Sequence, residues 1–100
     1  MGALGKIGFV GIGMMGWPMA SCILRAGFPL AVFDSRGEQA DAFVVEMGGE
    51  RAASLPELAA ACDTVITMLP DSRIVSDVLF GEAGMAAGLR PGAIVIDMTS

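Results

Sequence analysis

Short apolar runs alternate along the chain with longer segments in which apolar residues recur at helical spacing. Runs of this kind predict strands, here at Lys6–Val10, Leu30–Asp34, Thr64–Leu69 and Ala93–Asp97. A further short strand, the third along the chain, is expected over Glu50–Ala53. The segments between them predict helices over about Met15–Arg25, Glu38–Met47 and Leu55–Ala61. A fourth helix is expected to be capped by Asp71 or Ser72 and to end near Phe80, and a short helical turn is expected within Glu82–Leu89. Strands that alternate with helices predict an α/β fold with a parallel sheet.

Two helix starts have local signals. Pro18 has no N–H, and its ring would clash with the carbonyl four residues earlier if both residues were helical. The first helix is therefore expected to begin near Met15, with Met14 in the preceding turn. Ser54 and Glu57 have the spacing of a capping box, in which the Ser side chain caps the helix and the Glu side chain reaches back.

A glycine-rich turn separates the first strand from the first helix: Gly11, Ile12, Gly13, Met14, Met15 and Gly16. In a G-x-G-x-x-G turn, the first glycine allows the tight turn, the second lets a pyrophosphate approach the backbone, and the third lets helix and strand pack closely. The N-terminus of the helix then presents free N–H groups to the phosphates. The turn predicts a dinucleotide site, and the alternative is a turn with a structural role only.

The second strand ends in a carboxylate that supports the same hypothesis. Asp34 lies eighteen positions after Gly16, close to the spacing of about 20 expected for the acidic residue that binds the adenosine ribose hydroxyls. A carboxylate there also repels a 2′-phosphate, which favours NAD over NADP. Arg36, next to Ser35, leaves NADP open because a nearby Arg can pair with that phosphate. The simpler alternative is that Asp34 is a turn residue.

These features together predict a Rossmann-type, doubly wound parallel sheet of order 3-2-1-4-5 between two layers of helices. The strand order reverses between the first and fourth strands, and ligands bind at such a point, beyond the carboxyl ends of the strands. Met68, Leu69, Pro70 and Asp71 follow the fourth strand. We therefore expect them to face the cofactor, near its nicotinamide half.

Composition narrows the class of protein. One hundred residues predict one small domain, and the net charge of −5 argues against a nucleic-acid-binding surface. The 54% apolar fraction is high, so we expect some apolar surface to be covered by another part of the protein or by a partner. No apolar run reaches membrane-spanning length and no leader is visible, which predicts a cytoplasmic protein. Without His or a CxxC motif, no metal site is expected, and Cys22 and Cys62 are predicted to be reduced core residues.

The chain offers no evident proton shuttle for a nicotinamide enzyme. It contains neither His nor Tyr, and its single Lys, Lys6, precedes the first strand at the wrong end of the sheet. Asp71 and Asp97 are better explained by structural roles. We therefore expect no catalytic residue in this chain, and we interpret residues 1–100 as the N-terminal fragment of a longer protein.

Three segments resemble the 3-hydroxyisobutyrate dehydrogenase family of β-hydroxyacid dehydrogenases. They are residues 8–20, GFVGIGMMGWPMA, residues 68–71, MLPD, and residues 92–100, GAIVIDMTS. The resemblance implies NAD(P)-dependent oxidation of a 3-hydroxy acid to its semialdehyde, or the reverse reduction. It also implies a second, all-α domain that provides a catalytic Lys and drives dimer or tetramer formation. Alternatives are an imine-reductase-like or 6-phosphogluconate-dehydrogenase-like relative, and a non-catalytic dinucleotide-binding module.

The resemblance assigns roles to individual positions. It implies that the turn from Gly11 to Gly16 binds the pyrophosphate, that Asp34 binds the ribose, and that Leu69 and Pro70 lie beside the nicotinamide ribose. Thr99 and Ser100 match a loop shared by cofactor and substrate. Relatives that use NADP tend to have Asn-Arg where this chain has Asp34-Ser35, and this difference supports NAD.

Overall fold

A computed structural model describes residues 5–69, 73–74, 78–79, 84–85, 88–89 and 91–98. In chain order, the elements are β1 (Ile7–Val10), α1 (Gly16–Arg25), β2 (Leu30–Phe33), α2 (Gly37–Met47), β3 (Glu50–Arg51), α3 (Leu55–Ala61), β4 (Thr64–Thr67) and β5 (Ile94–Asp97). Residues 73–74 and 78–79 are helical, as predicted. Part of the predicted site, Pro70, Asp71, Thr99 and Ser100, lies outside the described residues.

The strands form one parallel sheet of order β3-β2-β1-β4-β5, which confirms the predicted topology. β1 lies at the centre, where Ile7 is level with Leu30 of β2 and with Thr64 of β4. The order reverses between β1 and β4, so the carboxyl ends of β1, β2 and β4 lie side by side. This arrangement leaves a crevice at the position expected for a ligand site.

Most elements begin or end one or two residues away from their predicted limits, and three of these differences concern the crevice. β2 stops at Phe33 and β4 at Thr67, so Asp34 and Met68 belong to the loops above the sheet. α1 begins at Gly16 rather than Met15, which occupies the N-cap position. The hydrogen bonds between β1 and β4 continue one residue beyond the end of β4, because the Met68 N–H donates to the Val10 carbonyl at 2.9 Å.

Alternating side chains of the strands build two cores, one on each face of the sheet. The first contains Phe9, Ile12, Ala20, Leu30, Val32, Ala40 and Phe43, and therefore joins α1 and α2 to the sheet. The second contains Val10, Ala31, Leu58, Ala59, Cys62, Val65 and Met85, and joins α3 to the opposite face. Helices on both faces make this a three-layer, doubly wound α/β fold, as predicted.

Other predictions are met in part. Ser54 Oγ accepts the Glu57 N–H at 3.3 Å, which is one half of the predicted capping box. The other half, a bond from the Ser54 N–H to the Glu57 carboxylate, is not found between these two described residues. Cys62 is buried, but the prediction for Cys22 was wrong: it lies on the exposed side of α1, where the Arg25 guanidinium donates to its sulfur at 3.7 Å. Its apolar neighbours in the sequence gave no indication that this position faces outward. No helix in the described part of the chain has the length and apolarity needed to cross a membrane.

Candidate functional site

A cavity of about 540 Å³ lies above the carboxyl ends of β1, β2 and β4. This volume is within the range of about 300–1,000 Å³ typical of small-molecule and cofactor sites. It is lined by the glycine turn, by the loop after β2, by the loop after β4 and by two apolar side chains beyond it: Val10, Gly11, Gly13, Met14, Met15, Gly16, Phe33, Asp34, Ser35, Arg36, Met68, Leu69, Ile74 and Val78. Most of the predicted site residues that the structure describes therefore lie together.

Two of the three turn glycines are required by the protein's own packing. Gly11 has a φ of +102°, a conformation that other residues rarely adopt, and a Cβ there would overlap the Met68 carbonyl oxygen. A Cβ on Gly16 would overlap the Gly11 carbonyl oxygen and come within 3.1 Å of the Phe9 ring. These two glycines let β1, α1 and the β4 loop approach one another.

Gly13 has no such explanation. It is not among the described glycines with positive φ. Beyond its two neighbours in the chain, the described atom nearest to a Cβ at Gly13 would be Arg36 Nη2, at 3.9 Å. Since Gly13 lines the cavity, the space beside it is available to a ligand, and a side chain would occupy that space. This is the role expected of the second glycine where a pyrophosphate approaches the backbone.

The N-terminus of α1 opens onto the same space. Its first helical hydrogen bond runs from Trp17 N–H to the Gly13 carbonyl at 2.9 Å, so the preceding N–H groups have no partner within the helix. The first turn contains no acidic side chain. Met14 and Met15 are largely exposed beside it, at 95% and 68%. The N-terminus of α1 therefore has the free N–H groups that favour an anion, and apolar side chains border it.

Asp34 lies at the far side of the glycine turn and is only 7% exposed. Its Oδ2 accepts the Ile12 N–H at 2.8 Å, and its Oδ1 accepts the Arg36 N–H at 2.9 Å. Burial raises the pKa of the carboxyl group, but the hydrogen bonds from Arg36 and Ile12, together with the Arg36 charge, outweigh burial. The pKa of Asp34 is therefore lowered from its ordinary value, and the group is an anion at neutral pH.

Arg36 closes over this carboxylate. Its Nε lies 3.1 Å from Oδ1 and its Nη2 lies 3.3 Å from Oδ2 of Asp34. The guanidinium is largely exposed, and the Asp34 anion raises the pKa of Arg36 further. Together with the two backbone bonds, these contacts engage both oxygens of Asp34, so ribose hydroxyls can bind them only if Arg36 moves aside.

Sequence reasoning missed two features of this corner. The first is the hydrogen bond that the Asp34 carboxylate accepts from the Arg36 N–H. This is the Asx pattern that Asp favours in turns, and the sequence Asp34-Ser35-Arg36 gave a signal for it. The second is that the bond of Asp34 to Ile12, and the bond from Gln39 Nε2 to the Ile12 carbonyl at 2.6 Å, link residues far apart in the chain. No local motif indicates such contacts.

The opposite end of the cavity is apolar. Met68 and Leu69 follow β4 and are half-buried, and Ile74 and Val78 line the same cavity. Asp97, at the end of β5, accepts a hydrogen bond from Thr67 Oγ1 at 3.0 Å, which supports its structural interpretation. Lys6 is at the other end of the sheet, where it pairs with Glu50 at 3.1 Å. The described lining of the cavity includes one carboxylate, Asp34, whose two oxygens are held by Ile12 and Arg36.

The sheet order, the glycine turn at the start of α1 and the acidic residue after β2 define a dinucleotide-binding domain of the Rossmann type. The model of the family described as the NAD binding domain of 6-phosphogluconate dehydrogenase matches residues 6–100. The chain belongs to this family of NAD-binding domains.

Individual relatives agree with the predicted resemblance. The chain is 43% identical, over 97% of its length, to 3-sulfolactaldehyde reductase of Escherichia coli K12, and covers 32% of that protein. It superposes with a TM-score of 0.84 and 32% identity on 3-hydroxyisobutyrate dehydrogenase of Mycobacterium tuberculosis with L-serine, over 97% of this chain and 32% of that one. Psf3 in complex with NADP+ and 2-OPP gives a TM-score of 0.84 at 28% identity, over 93% of this chain and 33% of that one. The chain thus spans about a third of the length of such relatives.

Proposed function

We propose that this chain is the cofactor-binding domain of an NAD(P)-dependent oxidoreductase that interconverts a 3-hydroxy acid and its semialdehyde. The main support is the space beside Gly13, at the N-terminus of α1, because no packing contact in the described structure explains a glycine there. A bound nicotinamide would supply the hydride-accepting and hydride-donating chemistry. The names of the relatives, a reductase of an aldehyde and a dehydrogenase of a hydroxy acid, favour this reaction over imine reduction and over a purely binding role.

The residues of the cavity fit the parts of a dinucleotide in order. In this proposal the N–H groups of residues 13–16 bind the pyrophosphate, while Ile12 and Gly11 set the shape of the turn. Asp34, with Ser35, lies on the adenosine ribose side. Met68 and Leu69 flank the nicotinamide half. For Pro70, Thr99 and Ser100 we propose the roles that the family resemblance implies: Pro70 beside the nicotinamide ribose, and Thr99 and Ser100 in a loop shared by cofactor and substrate.

We place the proton shuttle elsewhere in the protein. The curated relatives are about three times as long as this chain, which supports a second domain that provides a catalytic Lys and an oligomer interface. A cytoplasmic dimer or tetramer acting on a small hydroxy acid fits this arrangement. The isolated chain of residues 1–100 is then expected to bind cofactor but not to turn over substrate.

For the cofactor, we propose NAD, with weaker binding of NADP. The buried carboxylate of Asp34 faces the ribose position and repels a 2′-phosphate. Arg36 opposes this preference, because its guanidinium lies at the same position, is largely exposed and can rotate outward to pair with a phosphate. The present contact between the two side chains implies that binding of either cofactor displaces Arg36 from Asp34.

A titration with NADH and NADPH, followed by nicotinamide fluorescence, tests this proposal. The wild-type chain should bind NADH more tightly. Arg36→Ala should strengthen NADH binding severalfold, since no ion pair must be opened, and weaken NADPH binding about tenfold. Arg51→Ala is the matched control, because Arg51 forms its own surface ion pair with Asp41 at 3.1 Å, away from the cavity.

Each outcome has a distinct meaning. Tighter binding of NADPH by the wild-type chain would refute the NAD preference while leaving the site in place. A folded chain that binds neither cofactor would refute the site itself. Turnover of 3-hydroxyisobutyrate by residues 1–100 alone would refute the proposal that the shuttle lies elsewhere.

A further inference from the structure

Gln39 connects α2 to the glycine turn. Its side-chain amide nitrogen donates to the Ile12 carbonyl at 2.6 Å, in a part-buried contact between residues 27 positions apart. The direction of this bond follows from chemistry, because a backbone carbonyl only accepts. The amide nitrogen, and not the amide oxygen, must therefore face Ile12.

Ile12 is held from both sides. While Gln39 binds its carbonyl, Asp34 Oδ2 accepts its N–H at 2.8 Å. Its side chain is fully buried in the core shared by α1 and α2. The backbone of Ile12 is thus fixed by two side chains, one from the loop after β2 and one from α2, and neither its carbonyl nor its N–H is free to rotate independently.

The fixed carbonyl determines where the next N–H points. No described peptide bond is cis, and in a planar trans peptide the carbonyl of one residue and the N–H of the next point in opposite directions. Because the Ile12 carbonyl points to Gln39, the Gly13 N–H points away from Gln39. Gly13 lines the cavity, and within the described part of the chain no group accepts a hydrogen bond from its N–H.

We propose that Gln39 is a positioning residue, which keeps the Gly13 N–H directed at the cofactor pyrophosphate. This inference rests on the proposed function, in which that turn binds the pyrophosphate. Without the donor, the peptide between Ile12 and Gly13 can rotate about its flanking bonds, and Gly13 has no Cβ to oppose the rotation. A rotated peptide would present a carbonyl oxygen to the phosphates, which repel it, in place of a donor.

The test compares two substitutions of Gln39 with a control on the same helix. Gln39→Met keeps the length of the side chain but removes the donor, whereas Gln39→Lys keeps a donor. Glu46→Met places the same new side chain at an exposed position of α2, away from the residues that line the cavity. For each variant, NADH affinity, thermal stability and the position of the Gly13 amide signal in a ¹⁵N–¹H spectrum without cofactor are measured.

We expect Gln39→Met to raise the Kd for NADH about tenfold, the loss of one well-oriented hydrogen bond, and to move the Gly13 signal. Gln39→Lys should return that signal to its wild-type position, a result that attraction between Lys and phosphate cannot produce because no cofactor is present. Glu46→Met should change neither the Kd nor the signal.

Failure of this inference is distinguishable from failure of the proposed function. If the wild-type chain binds NADH and folded Gln39→Met binds it equally well, or leaves the Gly13 signal unmoved, the positioning role is refuted and the cofactor site stands. If Gln39→Lys fails to restore the Gly13 signal, the donor is not what orients the peptide, and the inference is again refuted. If the folded wild-type chain binds no NADH, both are refuted.

Discussion

Gly13→Ala should affect folding stability and cofactor affinity in opposite directions. In the folded chain the added methyl group meets no described atom nearer than Arg36 Nη2 at 3.9 Å, and Gly13 is not among the described glycines with positive φ. Alanine restricts the unfolded chain more than glycine does. The substitution should therefore raise the free energy of unfolding by about 0.4–1 kcal/mol. Tm should rise with it, since each 1 kcal/mol raises Tm by roughly 4–8 °C in a domain of this size.

Binding should change in the opposite direction. The methyl group occupies the space through which the pyrophosphate would approach, so the hydrogen bonds from the turn to the phosphates lengthen or are lost. Hydrogen bonds to charged groups contribute about 1.5–3 kcal/mol each, and the loss of one such bond predicts an increase of at least tenfold in the Kd for NADH. Thermal unfolding and a fluorescence titration of the same samples measure both effects.

Two other glycines provide matched controls. Gly16→Ala places a methyl group against the Gly11 carbonyl oxygen and should lower Tm markedly. Gly27→Ala has open surroundings but a φ of +96°, and should lower Tm modestly without changing the Kd of the folded protein. Wild-type affinity in Gly13→Ala would refute the pyrophosphate role of this residue, and a Tm as low as that of Gly16→Ala would show that packing requires the glycine.

Three further predictions concern stability. Because the pKa of Asp34 in the folded protein lies below its ordinary value of 3.8, the charge of Asp34 stabilises the fold above that value, and this stabilisation is lost as pH falls through the lower, folded pKa. Asp34→Asn should therefore lose less stability than wild type on acidification below about pH 4. Acid titrations followed by circular dichroism measure this, and an equal loss in both proteins would contradict the lowered pKa. Ser54→Ala removes the cap of α3 and should cost about 1 kcal/mol in urea unfolding, whereas no change would show that the cap bond contributes nothing. Phe43→Ala removes a fully buried ring 5.1 Å from that of Trp17 and should cost about 3–5 kcal/mol, while Val45→Ala, on the exposed side of the same helix, should stay within about 0.5 kcal/mol.

Much of the fold could be predicted from local patterns. The glycine turn, the alternation of strands and helices and the general rules of parallel sheets predicted the strand order. The spacing from Gly16 singled out Asp34, which lies in the cavity lining, while its ribose-binding role stays a prediction. These signals are local in the chain or follow from general topology. Asp34 and the glycine turn lie close together because the strand order places β2 beside β1, and the predicted strand order already contained this pairing.

The contacts between side chains could not be predicted in the same way. The bonds of Asp34 and Gln39 to the backbone of Ile12 depend on how far β2 and α2 bring those side chains above the sheet. The exposure of Cys22 depends on which face of α1 meets the core, and a helix with apolar residues on several sides leaves that undecided. Each of these features is set by packing between elements and not by residue type.

The central position of β1 has a consequence for how the domain opens. Residues Ile7–Val10 are hydrogen-bonded along both edges, to β2 on one side and to β4 on the other. Both partner strands lie far from β1 in the sequence. Exposing these amides to solvent requires both halves of the sheet to separate, so they should exchange their hydrogens only through global unfolding. β5, by contrast, pairs with β4 alone among the described strands and exposes Ile94 and Ile96, so its end of the sheet can open while the glycine turn, anchored on β1, stays closed.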